Sequence, residues 1–377
     1  MKYSSFPCGP KVSRLGFGCM RLPVAGEDKH IDEDLAISMI RGAIDRGVTY
    51  IDTAWPYHGG KSEIVVGKAL KDGYREKVVL ATKLPIWSED IQTQEDMHRV
   101  LDEQLAKLQT DHVDFYLMHA LNKERFEKMK RLDYKSFFAE AMASGKILHP
   151  AFSFHDDAVT FRAIVDDYPW HMAQVQMNIL DENYQATVAG MEYAASKGIG
   201  LVVMEPLRGG AMAKAPAEVQ KLYDNFPVQR KAVDWAFRYL YDMPFVMTIL
   251  SGMSVPEQVE DNLCIFEDAE ANCMDDAEKQ LIRDVRAAYL SRIKTGCTGC
   301  KYCQPCPAGV KIPNVFRNYD NALMFDRQES FRATYEKLEA EQSGPSQCAM
   351  CGNCEASCPQ HLEIIRMLAE IRQEMEK

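Results

Sequence analysis

Eight of the twelve cysteines fall within residues 297–377. They read Cys297-x2-Cys300-x2-Cys303-x2-Cys306-Pro307 and Cys348-x2-Cys351-x2-Cys354-x3-Cys358-Pro359. Three chemistries use thiols at this density. Disulfides are disfavoured: the N-terminus, MKYSSFPCGPKVSRLGFG, lacks the apolar core of a secretion signal, and a reducing compartment keeps thiols free. Zinc takes cysteines as two separated pairs, each on its own turn. Thiolates in threes at spacing three fit an iron–sulfur centre instead. One tight loop serves three corners of a cube, and the cysteine before proline reaches the other cluster. The expectation is two clusters of 4Fe–4S type. Cys297, Cys300, Cys303 and Cys358 would hold one; Cys306, Cys348, Cys351 and Cys354 would hold the other. The first run departs from the pattern, with two residues rather than three before Cys306.

A second group of residues could do acid–base work. Asp52, Lys83 and His119 each end, or nearly end, a short β-branched or aromatic run, and Tyr57 follows Asp52 by five residues. Singly each has an ordinary reading: a helix cap, a solvated charge, a core histidine, a packed loop aromatic. Their recurrence at matching ends of successive runs is what marks them.

The elements that must position them alternate in kind. Strand patterns run Leu15 to Met20, Val48 to Ala54, Val78 to Leu84, Val113 to His119, Ile147 to His155, Met172 to Met177, Ile199 to Pro206 and Phe245 to Gly252. Helical patterns lie between them, at Asp34 to Arg46, Thr93 to Leu108, Ala186 to Lys197 and Val228 to Tyr241. Eight βα units in this length predict an α/β fold, a (β/α)8 TIM barrel, whose chemistry sits at the C-terminal strand ends. An open doubly wound sheet would want Gly-x-Gly-x-x-Gly after its first strand. The stretch Leu15-Gly16-Phe17-Gly18-Cys19-Met20-Arg21 does not complete that motif.

At this point the chain resembles the aldo-keto reductases. The stretch Tyr50-Ile51-Asp52-Thr53-Ala54-x2-Tyr57-x2-Gly60-x-Ser62-Glu63-x3-Gly67 looks like that family's signature, and Lys83 in LATKLP and His119 in DFYLMHA follow at its spacings. The resemblance runs from about Arg14 to Phe266. It implies a catalytic tetrad of Asp52, Tyr57, Lys83 and His119, and reduction of an aldehyde or ketone by hydride from NADP(H) or NAD(H). Tyrosine titrates too high in water to be an ideal donor at neutral pH, and an ammonium at Lys83 is expected to lower it.

The resemblance also implies cofactor contacts. Ser153 and His155 end the fifth strand, and with Gln174 match carboxamide contacts, although Ser-Asn or Ser-Thr is more usual. Met204 takes the nicotinamide-stacking position, usually aromatic. Pro206 and Leu207 resemble the loop over the pyrophosphate. Gly252, Ser254, Gln258, Asp261 and Asn262 resemble the adenosine segment, with a phosphate near a helix N-terminus. Gln258 stands where an arginine for the 2′-phosphate is usual, so both nicotinamides remain open.

Residues from about 290 to 377 resemble the helical dicluster ferredoxins. Phe331, Tyr335 and Leu338 recur at helical spacing between the cysteine runs, and LEIIRMLAEIRQEMEK follows the second run as a helix. The expected organisation is a barrel over 1–285 and a small, mostly helical ferredoxin-like iron–sulfur domain over 286–377. The net charge of −11 and the lack of a basic run argue against nucleic acid. No apolar stretch approaches a membrane span, so a cytoplasmic location is expected. The partners expected are a small-molecule carbonyl substrate and, if the clusters carry electrons, a redox protein. Hydride transfer needs no cluster. The clusters therefore either brace a domain or exchange electrons with nicotinamide, a flavin or a ferredoxin. A cluster-bearing sensor that merely binds nicotinamide is a third class.

Overall fold

The computed structural model describes residues 1–26 and 28–377. They form two compact units, one of residues 1–209 and 233–276 and one of 210–232 and 277–377. The segment 210–232, counted from the sequence with the barrel, thus groups with the C-terminal unit.

The first unit is a closed barrel of eight parallel strands: β1 (Leu15–Gly18), β2 (Tyr50–Asp52), β3 (Val79–Leu84), β4 (Val113–Leu121), β5 (Ile147–Phe154), β6 (Met172–Gln176), β7 (Gly200–Met204) and β8 (Val246–Ser251). Neighbours in sequence pair, and β8 closes on β1 through Ile249 and Leu15. All eight strand patterns form, trimmed where polar residues or turns begin. The strands are buried on both faces, as near-continuous apolar runs require. One face packs beneath the helices. The other fills the barrel with Tyr50, Ala81, Phe115, Leu117, Ala151, Met172 and Val202. Phe6, from a hairpin pairing Tyr3–Ser5 with Lys11–Ser13, joins that inner cluster.

The helices obey local rules. Helix α1 (Glu33–Asp45) starts on Asp32, whose carboxylate accepts from Leu35 N at 3.1 Å. Helix α2 (Ser62–Ala69) follows the Tyr57 turn. Helix α3 (Gln94–Leu108) begins with a capping box: Asp96 N donates to Thr93 Oγ1 at 3.2 Å, and Thr93 N donates to Asp96 Oδ2 at 3.0 Å. Gly67 lets α2 and α3 meet. A Cβ there would stand 2.6 Å from Lys107 O and 2.8 Å from Leu108 C, both backbone atoms that cannot turn aside. Gly67→Ala is therefore expected to destabilise the barrel by about 1–3 kcal/mol, read as a lower calorimetric midpoint; an unchanged midpoint would contradict this packing.

The C-terminal unit is helical. Ile312–Met324, Gln328–Ala340 and Ile364–Met375 bury Val315, Phe316, Tyr319, Phe331, Tyr335, Leu338, Leu368 and Ile371 in one core. Phe331, Tyr335 and Leu338 all face inward, as their spacing predicts. Among the described residues, no helix is long and apolar enough to cross a membrane.

Candidate functional site

Four polar side chains meet where β2, β3 and β4 end. Lys83, the penultimate residue of β3, is fully buried, and Asp52 at the end of β2 is nearly so. Lys83 Nζ donates to Asp52 Oδ1 at 2.6 Å, to Oδ2 at 2.7 Å and to Thr53 O at 2.8 Å. All three ammonium protons thereby have partners, which a buried charge requires. Lys83 Nζ also stands 5.0 Å from the centroid of the Tyr57 ring. The rings of Tyr57 and His119 meet edge to face at 5.9 Å.

Backbone shape aims these groups. Tyr57 sits on a turn in which its N–H donates to Ala54 O at 3.1 Å, and His58 and Gly59 take left-handed conformations. His119 precedes Ala120, itself left-handed at φ 52°, where the pairing of β4 with β5 shifts register. A bulge of this kind re-aims a side chain at a strand end. Ser153 Oγ holds it, accepting from Ala120 N at 2.7 Å.

The environment sets protonation states. Burial pushes the Tyr57 phenol above its ordinary value, with the Lys83 ammonium pulling the other way. The expected net lowering by Lys83 is thus reversed, because desolvation of a phenolate outweighs one neighbouring charge. Burial, then the charge of Lys83, holds His119 well below the ordinary imidazole value. Its Nδ1 is buried without a hydrogen-bond partner. Burial works against the Lys83 ammonium, but Asp52 and Tyr57 together raise its pKa. The site at neutral pH is a protonated phenol, a neutral imidazole and a fixed ammonium.

Beneath it lies a network for which the motif spacings give no role. Glu63, buried on α2, accepts from Thr82 Oγ1 at 2.7 Å and from Gln104 Nε2 at 2.6 Å. Gln104 Nε2 also reaches Lys83 O at 3.1 Å, and its Oε1 accepts from Tyr116 at 2.7 Å. The signal was present: Gln104 falls on the apolar stripe of α3 with Met97, Val100, Leu101, Leu105 and Leu108, where a polar residue needs a buried partner. Trp87, in the loop after β3, packs against the His119 ring at 4.7 Å.

The cofactor candidates lie around the same rim. Ser153 and Gln174 are buried. Gln174 Oε1 has no hydrogen-bond partner, and its Nε2 meets Met204 Sδ at 3.7 Å. An orphaned buried acceptor beside a Ser hydroxyl suits a carboxamide. His155 is exposed and bonds Gln185 Oε1 at 3.2 Å. Pro206 is buried and Leu207 half-buried, in a loop whose Glu205 O accepts from Asn178 Nδ2 at 3.2 Å. Gly252 is exposed against the stem of Arg21. Ser254 Oγ donates to Arg21 O at 2.8 Å, and Gln258 Oε1 turns back to accept from Ser254 N at 2.8 Å. Asn262 Nδ2 donates to Ser251 Oγ at 2.9 Å, and Asp261 is exposed on the same helix, Pro256–Ile265. Arg21, to which the motif spacings likewise give no role, places a guanidinium nitrogen 3.0 Å from where a Gly209 Cβ would stand.

In the C-terminal unit the cysteine runs share one backbone shape. The residues two and four places after the first cysteine are left-handed in both: Gly299 and Lys301 in the first run, Met350 and Gly352 in the second. All eight thiols are free of disulfides. Cys297, Cys303, Cys306, Cys348, Cys354 and Cys358 pack against the helical core, while Cys300 and Cys351 are exposed. Burial raises the Cys297 thiol, and the neighbouring Cys300 and Cys358 add to the effect. Cys306 lines a cavity of about 90 Å³ with Cys303, Cys348, Cys351 and Cys354. A buried carboxylate braces the first run: Asp320 Oδ1 accepts from Thr295 N at 3.0 Å, and Thr295 Oγ1 accepts from Cys297 N at 3.2 Å. This donor set is all cysteine sulfur and half-sunk in apolar surroundings, and it fits an iron–sulfur group.

Comparison with known proteins agrees with both units. Residues 14–278 match the model of the aldo/keto reductase family, and residues 296–363 match the model of a 4Fe-4S dicluster domain. Aldo-keto reductase YhdN of Bacillus subtilis (strain 168) is 32% identical over 227 residues, which are 56% of this chain and 64% of that protein. Probable aldo-keto reductase 1 of Glycine max is 29% identical over 213 residues, 54% of this chain and 58% of that protein. The chain thus spans less than two thirds of the length of either relative. Among solved structures, the holo form of aldo-keto reductase AKR11C1 from Bacillus halodurans is similar, with a TM-score of 0.63 at 25% identity over 76% of this chain and 96% of that one. On its barrel, its signature and these matches, the chain belongs to the aldo/keto reductase family and carries a 4Fe-4S dicluster domain.

Proposed function

We propose that the protein is an NAD(P)H-dependent oxidoreductase that reduces an aldehyde or ketone, with Tyr57 as proton donor. The observation that carries this reading is the sealed Asp52–Lys83 ion pair beside Tyr57, with His119 next to the phenol. Nicotinamide, when bound, supplies hydride to the carbonyl carbon. Negative charge then builds on the carbonyl oxygen, and a proton must arrive there. Tyr57 holds that proton. Lys83 stabilises the phenolate left behind, and Asp52 keeps Lys83 in place. His119 is neutral and can direct an N–H at the same oxygen. Ser153 and Gln174 would hold the carboxamide.

The phenol must be protonated to act, so reduction should fail as pH rises through the Tyr57 pKa. That pKa lies above the ordinary 10.0. Turnover is therefore expected to stay level between about pH 6 and pH 9 and to fall beyond; a fall between about pH 6 and 8 would contradict the assignment. The segment from Gly252 to Asn262 contains no lysine or arginine and carries Glu257, Glu260 and Asp261, so NADH is expected to bind at least as tightly as NADPH. An anaerobic screen of aldehydes, ketones and quinones with both nicotinamides tests the reading as a whole. Failure of every carbonyl would sink it.

We further propose two 4Fe–4S clusters, divided as the sequence spacing implies. The cavity that Cys306 lines supports this division, since Cys348, Cys351 and Cys354 line it too, with Cys303 of the first run at its edge. Cys306→Ser is expected to remove roughly half the iron; full iron with an unchanged spectrum would contradict its role. Exposed Cys300, Cys351, Tyr302 and Met350 beside these thiols favour a second reading, electron exchange with a partner protein. Reduction of the clusters by NAD(P)H under anaerobic conditions is its test.

A further inference from the structure

Three side chains far apart in sequence converge at the other end of the barrel. Cys8 lies in the turn of the N-terminal hairpin, which is closed by Phe6 N donating to Pro10 O and Gly9 N donating to Phe6 O, both at 2.9 Å. His149 is the third residue of β5, paired with Phe115 of β4. His171 immediately precedes β6. Its N–H donates to Pro150 O at 3.0 Å and its carbonyl accepts from Gly200 N at 3.1 Å, so its backbone is fixed in the sheet. Cys8 Sγ and one ring nitrogen of each histidine all lie within 4.8 Å of one another. His149 Nδ1 and His171 Nδ1 face each other at 2.9 Å.

From the sequence, His171 reads as a surface or capping residue, because no local spacing links it to another ligand. The fold supplies the link. Two imidazole nitrogens this close cannot both present a proton, and can both present a lone pair only if something positive lies between them. Either one donates to the other, or both lone pairs point at a cation. The thiol decides between these arrangements. Sulfur is a poor hydrogen-bond partner but a strong ligand once deprotonated. It stands within reach of the same point.

We infer that Cys8, His149 and His171 form a zinc site that fastens the N-terminal hairpin to β5 and β6. The set of one thiolate and two imidazoles suits a borderline-soft divalent ion and not calcium or magnesium. Zinc–nitrogen distances of about 2.0–2.1 Å and a zinc–sulfur distance of about 2.3 Å place tetrahedral ligand atoms roughly 3.3–3.6 Å apart. The two nitrogens, at 2.9 Å, would open by about 0.4 Å, and the sulfur, within 4.8 Å of them, would close by up to about 1.2 Å. All three residues are half-buried, and Cys8 and His171 border an open cavity with Pro7, Trp170, Lys197 and Gly198, so water can take the fourth position. Binding displaces the Cys8 thiol proton to solvent as the Sγ–zinc bond forms. The residues lie at the N-terminal strand ends, the face of a barrel that serves stability. Three protein ligands with an open fourth position are unlike a closed structural site, so it is the placement on the hairpin and at the stability face that assigns the zinc to fastening the hairpin; the inference does not depend on the reductase reading.

The test is the metal content of the cluster-loaded full chain after dialysis against a mild chelator, with zinc, copper and iron quantified together. The expected result is about one zinc per chain in the wild type and at least a tenfold loss in Cys8→Ser/His171→Gln, with iron unchanged in both. Zinc-edge X-ray absorption on the wild type needs no variant, and should report one sulfur and two or three light neighbours at the distances above. Absence of zinc from the wild type, copper in its place, an all-sulfur shell, or undiminished zinc in the double variant would each overturn the inference.

Discussion

Replacing Tyr57 by phenylalanine is expected to lower carbonyl turnover by about 10²–10⁴-fold while leaving the affinity for nicotinamide nearly unchanged. The ring remains, so its edge-to-face contact with His119 and its packing beside Lys83 persist. Only the hydroxyl is lost, and with it the proton that must reach the developing alkoxide. His119 cannot replace it. Burial and the charge of Lys83 hold that imidazole well below its ordinary pKa, so it carries no extra proton to give at neutral pH. Steady-state rates with a reactive aldehyde, together with a nicotinamide titration, separate the two quantities. Near wild-type turnover would remove Tyr57 from the chemistry. Loss of nicotinamide affinity would point to a structural role.

Lys83→Met carries the second large effect, on stability as well as rate. Lys83 is fully buried and its ammonium neutralises Asp52. Methionine leaves a carboxylate in a closed pocket, and breaking one partner of such a pair costs about 3–5 kcal/mol. The pH dependence has a definite sign. Burial already raises the Asp52 pKa above its unfolded value near 3.9, with Lys83 pulling it down, and without Lys83 it rises further. Below that unfolded value both states are protonated, and the ionic part of the deficit vanishes. The deficit grows as pH rises from the wild-type folded pKa toward the higher folded pKa of the variant, then levels off. The thermal midpoint of Lys83→Met should therefore lie closer to wild type at pH 4 than at pH 8, and Asp52→Asn/Lys83→Met should recover much of the loss at pH 8. An equal deficit at both pH values would mean that the pair is not an ion pair. Turnover should fall as well, since the phenolate left by Tyr57 loses its counter-charge.

The sequence made the barrel and the positions of its polar strand ends legible, for a reason of periodicity. Strands buried on both faces are unbroken apolar runs, so Asp52, Lys83 and His119 stand out where those runs stop. The Glu63–Gln104 network was less legible, because a buried glutamine on a helix looks like a surface residue until its stripe is traced. The reversal at Tyr57 was not legible at all. Whether burial or a neighbouring charge wins depends on how much water the phenol loses, which no spacing reports. Cys8, His149 and His171 share no element, and only barrel closure together with the N-terminal hairpin brings them to one point. The cysteine runs are the opposite case, since their chemistry is local and each run carries its own turn.

The most direct measurement follows one hydrogen. Reduction of an aldehyde with nicotinamide deuterated at the transferring position should place deuterium on the carbinol carbon of the product, and Tyr57→Phe should slow that transfer by about 10²–10⁴-fold. Stoichiometric label on carbon is the expected result. Product formed at a normal rate without label would contradict it, and would route the electrons through the clusters instead.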